Sequence, residues 1–379
     1  MDFYDELGVR RVLNAAATLT VVGGSLMPDE VLAAMRSAAS SYVDIHELHE
    51  AAGKRIADLT HNEAAYVTSG CAAALVLGTL GAITKGEPSA IMHMPDGHGL
   101  PTEVVMHTAH RIPYDPAIRL AGGRIVQIGN IQQTFEWELE AAITERTAAV
   151  LWVAGLHLPQ VVLDLPTTIR IAHRHGVPVI VDAAAQLPPV DNLWHFTREL
   201  GADAAVFSGG KALRGPQASG LMIGTREFIE AARANGSPHQ RLARAMKAGK
   251  EEIAGLVRAV ELFVARDHAS DLAMWEETVR TWVVALNGVN GLRAVREFPN
   301  EAGQPVPRVR VTIDSQTCGM TADDIRAQLW AGEPRVLVLR ADQSSFHITP
   351  DTLKPGEASS VAERILEVVT DSCSDRRSG

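Results

Sequence analysis

Between residues 64 and 224, short apolar runs alternate with segments of helical pattern, and no repeat or low-complexity stretch interrupts them. Apolar runs of about four to eight residues are typical of buried strands. Parallel strands need crossover connections, which are usually helices. The alternation therefore predicts an α/β fold with a mostly parallel central sheet and helices on both faces. The predicted strands include 65–68, 88–94, 121–129, 148–153, 177–182 and 203–208.

The carboxyl-terminal part of the chain has a different pattern. Residues 237–269 are predicted to form a long helical region that links two domains. Residues 307–313 alternate with a period of two, which is typical of a half-exposed antiparallel strand, and 334–340 with 345–349 are predicted to form a hairpin pair. The predicted domains are an N-terminal arm or small-domain segment (1–44), a large domain (45–250) and a small α+β domain (251–379).

One lysine stands at the end of a predicted buried strand. The apolar run 203–207 breaks into Ser208-Gly-Gly, Lys211 follows, and Gly215-Pro216 marks a turn. A lysine at such a strand end is costly to desolvate unless chemistry requires it, and a neutral amine can condense with a carbonyl group. The alternative is a surface lysine in a glycine-rich loop, and these residues alone leave both interpretations open.

Two other segments favour the chemical interpretation. The strand 177–182 ends in Asp182, and open α/β sheets place ligand contacts at the carboxyl ends of their strands. Ser69-Gly70-Cys71 lies between a strand end and an alanine-rich helix start, which offers backbone N–H groups and a positive dipole end to a phosphate. A phosphate site, then an aspartate, then a lysine is an order that resembles the pyridoxal phosphate enzymes of the aspartate aminotransferase superfamily (fold type I).

In that layout Lys211 would form a Schiff base with the cofactor, and Asp182 would keep its pyridinium nitrogen protonated. Three histidines follow the phosphate site, namely His98, His107 and His110, at spacings of nine and three residues. No acid or cysteine completes a zinc box with them, so no metal is predicted. One of them is expected to stack on the cofactor ring. For the other two, the solvent-facing alternative is expected.

Composition limits the class of protein further. The chain has 379 residues, of which 46% are hydrophobic, and a formal net charge of −10. The acidic balance argues against broad nucleic-acid binding, and no apolar run reaches the length of about 18 residues that a membrane span needs. The acidic start lacks the features of a signal peptide, and the three cysteines have no metal spacing and are expected to be reduced. We therefore expect a cytoplasmic enzyme.

Two specific motifs and several supporting ones resemble a single enzyme family. The specific motifs are Phe207-Ser-Gly-Gly-Lys211 and Gly215-Pro-Gln217. The supporting motifs are Leu13-Asn-Ala15, Gly23-Gly-Ser25, Glu47-Leu-His-Glu-Ala-Ala-Gly53, Tyr66-Val-Thr-Ser-Gly70, His110-Arg111 and Lys247-Ala-Gly-Lys-Glu-Glu252. Across nearly its whole length, the chain resembles the bacterial selenocysteine synthase (L-seryl-tRNA selenium transferase) group of pyridoxal phosphate enzymes. Within that group it is most similar to the shorter D-glucosaminate-6-phosphate ammonia-lyase type.

The resemblance implies roles for individual residues. Lys211 would be the Schiff-base lysine, Asp182 the pyridinium partner, Ser208 a phosphate contact and His110 the ring-stacking group. The full set of implied cofactor-binding residues is Ser69, Gly70, Cys71, His110, Asp182, Ser208 and Lys211. The resemblance also implies at least a homodimer. Selenocysteine synthases carry an amino-terminal tRNA-binding extension that is not seen before the Leu7-Gly8 region here, so tRNA is not expected as a substrate.

The implied chemistry begins with loss of the substrate α-proton to Lys211. We expect β-elimination from a β-hydroxy amino acid or an amino-sugar acid, which yields a 2-oxo acid and ammonia. A racemase or epimerase is the alternative if the substrate has no leaving group, and a non-catalytic or tRNA-associated scaffold is a third hypothesis. An enzyme would show a visible absorption band from its lysine-bound cofactor, and a scaffold would be colourless.

Two arginines are candidates for substrate binding. Arg335 precedes an apolar strand in the small domain, where relatives on this fold commonly hold the substrate α-carboxylate with an arginine. The alternative is an arginine that keeps a strand edge from pairing further, and Arg111 is the next candidate. The stretch 14–25 is either a plain surface connection or an arm that lines the active site, and the sequence leaves both open.

Overall fold

The computed structural model describes residues 3–155, 158 and 160–375, with side chains described up to residue 370. In this part, the strands are β1 (Val12–Asn14), β2 (Ala64–Thr68), β3 (Glu103–His107), β4 (Arg124–Ile128), β5 (Thr147–Val153), β6 (Val179–Asp182), β7 (Ala204–Ser208), β8 (Gly220–Gly224), β9 (Leu292–Glu297), β10 (Arg308–Ile313), β11 (Arg335–Leu337), β12 (Leu339–Arg340) and β13 (Ser345–Ile348). The helices are α1 (Phe3–Glu6), α2 (Asp29–Ala39), α3 (Ile45–Leu59), α4 (Cys71–Thr84), α5 (Pro88–Met92), α6 (Pro116–Leu120), α7 (Glu136–Ala142), α8 (Leu165–Arg174), α9 (Asn192–Trp194), α10 (Arg226–Ala234), α11 (Lys250–Ala265), α12 (His268–Asn287), α13 (Ser315–Cys318), α14 (Ala322–Ala331) and α15 (Glu357–Asp375).

The chain divides into two compact units. The large unit comprises residues 25–266 and 301–303, and the small unit comprises the described residues of 1–24, 267–300 and 304–379. Each unit has its own sheet and its own apolar core.

The large unit is built around a central sheet that contains, among the described residues, seven strands in the order β2-β8-β7-β6-β5-β3-β4. Neighbouring strands are parallel except at β8, which runs antiparallel to both β2 and β7. Along β6 and β7, successive side chains point to opposite faces of the sheet and pack into two separate cores. Val181 and Phe207 pack on one face, and Ile180 and Val206 pack on the other. Helices α3, α8 and α11 cover the first face, and α4, α6 and α10 cover the second. The predicted α/β fold is confirmed.

Residues 88–94 do not form a strand, so that prediction is wrong. They contain the short helix α5, and the next strand along the chain is the fully buried β3. Pro88 occupies the first turn of α5, where its fixed φ angle suits a helix. A short apolar run does not distinguish a buried strand from a buried helix, which is why the pattern was misleading.

Residues 237–269 form three pieces instead of one long helical region. A 3-10 turn at 242–246 precedes α11, and α12 begins at His268. Asp267 caps α12, because its side chain accepts a hydrogen bond from Ser270 N at 3.1 Å. The break between α11 and α12 is the place where the large unit ends and the small unit resumes.

The unit boundaries fall at 24/25 and 266/267, whereas the sequence pattern suggests 44/45 and 250/251. The reason is the packing of α2 against α11. A Cβ atom added at Gly255 would lie 2.8 Å from Met35 Cγ, so the two helices approach closely there. Lys250 Nζ also donates a hydrogen bond to Ala38 O at 2.8 Å. These contacts tie residues 25–44 and α11 to the large unit.

The small unit contains an antiparallel sheet in the order β12-β13-β10-β9, and helices α12, α14 and α15 contribute to its core. Trp282 in that core donates from Nε1 to Ala358 O at 2.8 Å. The predicted hairpin of 334–340 with 345–349 is correct only for β12 and β13. Strand β11 pairs instead with β1, in parallel, with Arg335 opposite Val12. A partner this distant along the chain leaves no local sequence signal.

No helix within the described ranges is both long and apolar enough to cross a membrane. In the same residues, no group of three or more histidine, cysteine, aspartate or glutamate side chains is arranged to hold a metal ion. Cys71 and Cys318 are free thiols, and the side chain of Cys373 lies outside the described part of the chain.

Candidate active site

Lys211 lies in a tight loop directly after β7, at the carboxyl end of that strand. The loop folds back on the following segment, because Gly209 N donates to Ser219 O at 2.9 Å. A Cβ atom at Gly209 would lie 2.0 Å from Ser219 Oγ and 3.0 Å from Ser219 O, and one at Gly210 would lie 2.7 Å from the backbone Cα of Gln217. Both glycines are therefore required for the close packing that presents Lys211 at the end of the strand.

The segment before α2 contacts this lysine loop. Ser25 donates hydrogen bonds from both its backbone N and its Oγ to Gly210 O, each at 3.0 Å. Arg214 Nε donates to Leu26 O at 2.9 Å. Of the two alternatives for residues 14–25, the structure therefore supports a contribution to the site at Ser25.

Asp182 ends β6, and it pairs in register with Val206 on the neighbouring β7. Its side chain is only 4% exposed. Oδ1 accepts a hydrogen bond from Ala184 N at 3.1 Å, and Cys71 Sγ lies 3.8 Å from the same oxygen. The carboxylate is therefore held at the same sheet edge from which the lysine loop starts.

Ser69 and Gly70 connect β2 to the 14-residue helix α4. Gly70 has a φ angle of 107°, and a Cβ atom there would meet nothing within 4 Å, so the space beside it is open. Ser69 Oγ donates to Met246 O at 2.8 Å, which anchors the turn. The first N–H groups of a helix have no acceptor within the helix and carry its positive dipole end. Together, these features form a cradle for an anion.

Ser208 lies near this cradle because of strand β8. Gly220 at the start of β8 pairs with Thr68 on one side and with Ser208 on the other. Ser208 is thus two strand spacings, or about 10 Å, from the end of β2. A Cβ atom at Gly220 would lie 2.4 Å from the carbonyl carbon of Gly70, so only glycine fits there.

The charges of Asp182 and Lys211 both act on the thiol of Cys71, which is the first residue of α4. Burial and the negative charge of Asp182 raise the pKa of the Cys71 thiol well above its usual value, and the positive charge of Lys211 opposes that rise. The lysine loop, Asp182 and the start of α4 are far apart in the sequence. They lie at one edge of the sheet, because β6 and β7 are neighbours and Cys71 Sγ lies 3.8 Å from Asp182 Oδ1.

His110 lies in a 3-10 turn after β3 and is only 1% exposed. Its Nδ1 accepts a hydrogen bond from Val153 N at 3.2 Å. Its ring stands edge-on to the ring of Trp152, with 5.1 Å between the two ring centres. Burial, with a smaller contribution from His107, lowers the pKa of His110 to about 3, so the ring is neutral and its proton is on Nε2. Val153 pairs with Asp182, which puts His110 near the site. Protein atoms surround the ring, and its stacking on a cofactor stays a prediction.

The other two histidines differ in exposure. His98 is exposed, as the solvent-facing alternative suggests. His107 is fully buried, so that alternative is wrong for it. Its Nε2 accepts a hydrogen bond from Leu163 N at 3.3 Å, and burial lowers its pKa to about 4. His107 therefore supports the loop that follows β5.

The two candidate substrate arginines both have protein partners. Arg111 Nε donates to Asp115 Oδ2 at 2.5 Å in a partly buried ion pair. Arg335 in the small unit donates from Nε to Trp330 O at 3.0 Å, and its guanidinium lies 4.6 Å from the centre of the Trp330 ring. A role of either arginine in substrate binding stays a prediction.

The residues described above fit the pyridoxal phosphate that the sequence predicts. The open space beside Gly70 can take a phosphate group, and the buried carboxylate of Asp182 can face a protonated ring nitrogen. Sequence reasoning missed two supporting positions, Gly220 and Met246. A glycine at a strand start often marks a close backbone approach, so Gly220 carried a usable signal. The carbonyl of Met246 carried none.

Known proteins resemble this chain over most of its length. A family model described as L-seryl-tRNA selenium transferase matches residues 12–275. D-glucosaminate-6-phosphate ammonia lyase from Salmonella typhimurium is 35% identical over 374 residues, which is 97% of this chain and 98% of the relative. A 5'-C-glycyluridine monooxygenase-decarboxylase from a Streptomyces species is 32% identical over 379 residues, which is 97% of this chain and 92% of the relative.

Solved structures agree with the sequence matches. A structure of D-glucosaminate-6-phosphate ammonia-lyase has a TM-score of 0.87 and 34% identity, and the match covers 98% of this chain and 99% of that one. A structure of SPT with a PLP internal aldimine has a TM-score of 0.59 at 14% identity, over 95% of this chain and 88% of that one, and this likeness shows the shared fold alone. The resemblance in sequence is thereby confirmed. The chain belongs to the L-seryl-tRNA selenium transferase family.

Proposed function

We propose that this chain is a pyridoxal phosphate-dependent ammonia-lyase that acts on a 2-amino acid with a 3-hydroxyl group, such as an amino-sugar acid. The observation that carries the proposal is its 35% identity with a D-glucosaminate-6-phosphate ammonia lyase over 97% of the chain. The arrangement of the large unit supports it, because Lys211 and Asp182 follow neighbouring strands and the start of α4 lies beside Asp182. The reaction removes the α-proton and the β-hydroxyl group and ends in a 2-oxo acid and ammonia.

Pyridoxal phosphate, when bound, supplies an electron sink that makes the α-proton of an amino acid acidic. The N–H groups at the start of α4 would hold its phosphate, and Ser208 at the end of β7 is the further phosphate contact that the family resemblance implies. The carboxylate of Asp182 would keep a proton on the ring nitrogen, and Nζ of Lys211 would anchor the cofactor. Ser25 holds the carbonyl of Gly210, which fixes the loop that carries this lysine.

Lys211 moves the protons of the reaction. Nζ of Lys211 would accept the α-proton of the substrate and would give a proton to the β-oxygen, which would leave as water. Water then hydrolyses the enamine product to the 2-oxo acid and ammonia. The water lost in the first stage is balanced by the water used in the second, and no oxidant is required. The position of Lys211 at the end of β7 suits this role because its loop is tightly held.

The proposal is tested with the purified full chain, loaded with pyridoxal phosphate and incubated with candidate substrates. D-glucosaminate with and without a 6-phosphate forms a matched pair, and D- and L-serine and threonine extend the panel. Ammonia, 2-oxo acid and α-proton exchange in D₂O are measured together. We expect equal amounts of ammonia and 2-oxo acid from at least one 3-hydroxy substrate, and comparison within the pair shows whether the phosphate is required.

Other outcomes of that experiment would point to other reactions. Exchange of the α-proton with inversion, but without ammonia, would replace the lyase by the racemase or epimerase alternative. Carbon dioxide release is measured as well, because the Streptomyces relative is named a monooxygenase-decarboxylase and is 32% identical. A colourless protein that cannot be loaded with the cofactor would leave only the scaffold hypothesis.

Arg335→Lys tests whether this arginine holds the substrate carboxylate. Lysine keeps the positive charge but cannot make two parallel hydrogen bonds to a carboxylate. We therefore expect kcat/KM to fall by about tenfold or more with the cofactor absorption band unchanged. In the same experiment Arg340→Lys, at an exposed position on β12, is the matched control. Unchanged kinetics in Arg335→Lys would make its contact with Trp330 purely structural and would turn attention to Arg111.

We infer that the chain assembles at least into a homodimer. The large unit exposes four large apolar side chains between residues 26 and 43, namely Leu26, Leu32, Tyr42 and Val43. Exposed apolar side chains grouped in one segment are a feature of protein interfaces. Multi-angle light scattering at micromolar concentration is expected to give at least twice the chain mass. An active species that elutes with the mass of one chain would contradict the inference.

A further inference from the structure

The thiol of Cys71 has an unusual neighbour. Cys71 is the first residue of α4, and its Sγ lies 3.8 Å from Oδ1 of Asp182. This separation suits a weak hydrogen bond in which the S–H group donates to the carboxylate. Ala184 N donates to the same oxygen at 3.1 Å. Two donors from different elements, the start of α4 and the turn after β6, therefore converge on a single atom.

The protonation state of Cys71 is consistent with a donor. Burial has the largest effect on the thiol and disfavours a thiolate; the negative charge of Asp182 acts in the same direction, and the positive charge of Lys211 opposes it. Together these effects raise the pKa of the Cys71 thiol well above its usual value. The thiol therefore keeps its proton at neutral pH, and the proton is available to Oδ1.

We propose that Cys71 is a positioning residue whose thiol, together with the N–H of Ala184, holds the carboxylate of Asp182 charged and in one orientation. A buried carboxylate is stabilised by each hydrogen bond that it accepts, and two donors on one oxygen restrict its rotation. The significance of this for catalysis rests on the proposed function, in which Asp182 faces the cofactor ring. The contact between thiol and carboxylate is independent of that function.

The direct contact is tested in the cofactor-free protein. Alkylation of Cys71 by iodoacetamide is followed by mass spectrometry as a function of pH, in the wild type and in Asp182→Asn. Removal of the negative charge favours the thiolate, so we expect the midpoint of the Cys71 profile to move down by about one pH unit in the variant. Cys318, which is buried in the small unit, is the internal control and is expected to react alike in both proteins.

The consequence for the cofactor is tested with a matched pair of variants. Cys71→Ala removes the donor, and Cys71→Ser replaces it with a hydroxyl donor of similar size. We expect the dissociation constant for pyridoxal phosphate, from absorbance titration, to rise about 3- to 10-fold in Cys71→Ala. Cys71→Ser is expected to stay within about twofold of the wild type. Circular dichroism confirms that both variants are folded.

Two results would overturn the proposal. The first is a Cys71 alkylation profile that is the same in the wild type and in Asp182→Asn. The second is equal weakening of cofactor binding by alanine and serine, since that would show a need for the sulfur atom and not for a donor. The alkylation arm requires neither cofactor nor substrate. A shifted profile in a protein without lyase activity would therefore contradict the proposed function alone, and an unshifted profile in an active lyase would contradict only the role of Cys71.

Discussion

Replacement of Lys211 by alanine is expected to abolish the visible absorption band of the lysine-bound cofactor and to slow α-proton exchange about a thousandfold or more. The physical reason is that this loop has a single amine at the end of β7, and both cofactor anchoring and proton transfer depend on it. The measurement is an absorbance spectrum of the cofactor-loaded protein, followed by exchange of the substrate α-proton in D₂O. Addition of a small amine such as methylamine is expected to restore part of the exchange.

Lys54→Ala is the matched control for that variant. Lys54 is exposed on α3, and alanine suits a helix, so its loss changes the charge by the same amount without touching the loop. We expect its spectrum and exchange rate to equal those of the wild type. If Lys211→Ala exchanged the α-proton at nearly the wild-type rate, the assignment of Lys211 would be wrong.

Asp182→Asn is the second variant with a large expected effect. It should keep the fold and still bind the cofactor, but turnover is expected to fall about a hundredfold or more. An asparagine amide has no negative charge with which to keep the ring nitrogen protonated, so the carbanion that forms on proton loss is less stabilised. Steady-state kinetics on the identified substrate and the cofactor content of the purified protein are the two measurements.

Asp182→Asn hardly changes the size of the side chain. The amide oxygen of the asparagine can still accept the hydrogen bond from Ala184 N. A loss of turnover with normal cofactor content is therefore attributable to charge. Asp182→Glu, which keeps the charge but lengthens the side chain, is the comparison. Unchanged turnover in Asp182→Asn would mean that this aspartate is structural and that another acid serves the ring.

Much of the fold was readable in the sequence because it has a local signature. The apolar runs of β5, β6 and β7 are buried on both faces, so they appear as continuous hydrophobic segments. The helix α4 begins at Cys71 directly after Ser69-Gly70, as its motif predicts. The small unit was harder to interpret, since its strands β11 and β12 follow each other closely but belong to different sheets.

The candidate site was predictable in its chemistry but not in its contacts. The residue types and their order along the chain indicated a phosphate cradle, an aspartate and a lysine. The hydrogen bonds of Ser25 to Gly210, and the approach of Cys71 to Asp182, join residues more than a hundred positions apart. Such contacts depend on strand order and on helix packing, and neither is encoded in a local pattern.

The sequence by itself determined the fold class and the family. It also predicted Lys211, Asp182 and Gly70 as the central residues of the site, because each lies at a strand end that its own neighbours define. Only the tertiary structure decided which residues support them. The order β2-β8-β7-β6 puts Gly220 between Thr68 and Ser208 and brings the start of α4 over the end of β6. The physical reason is that a side chain's neighbours across a sheet are set by the global arrangement of strands, which only the folded chain possesses.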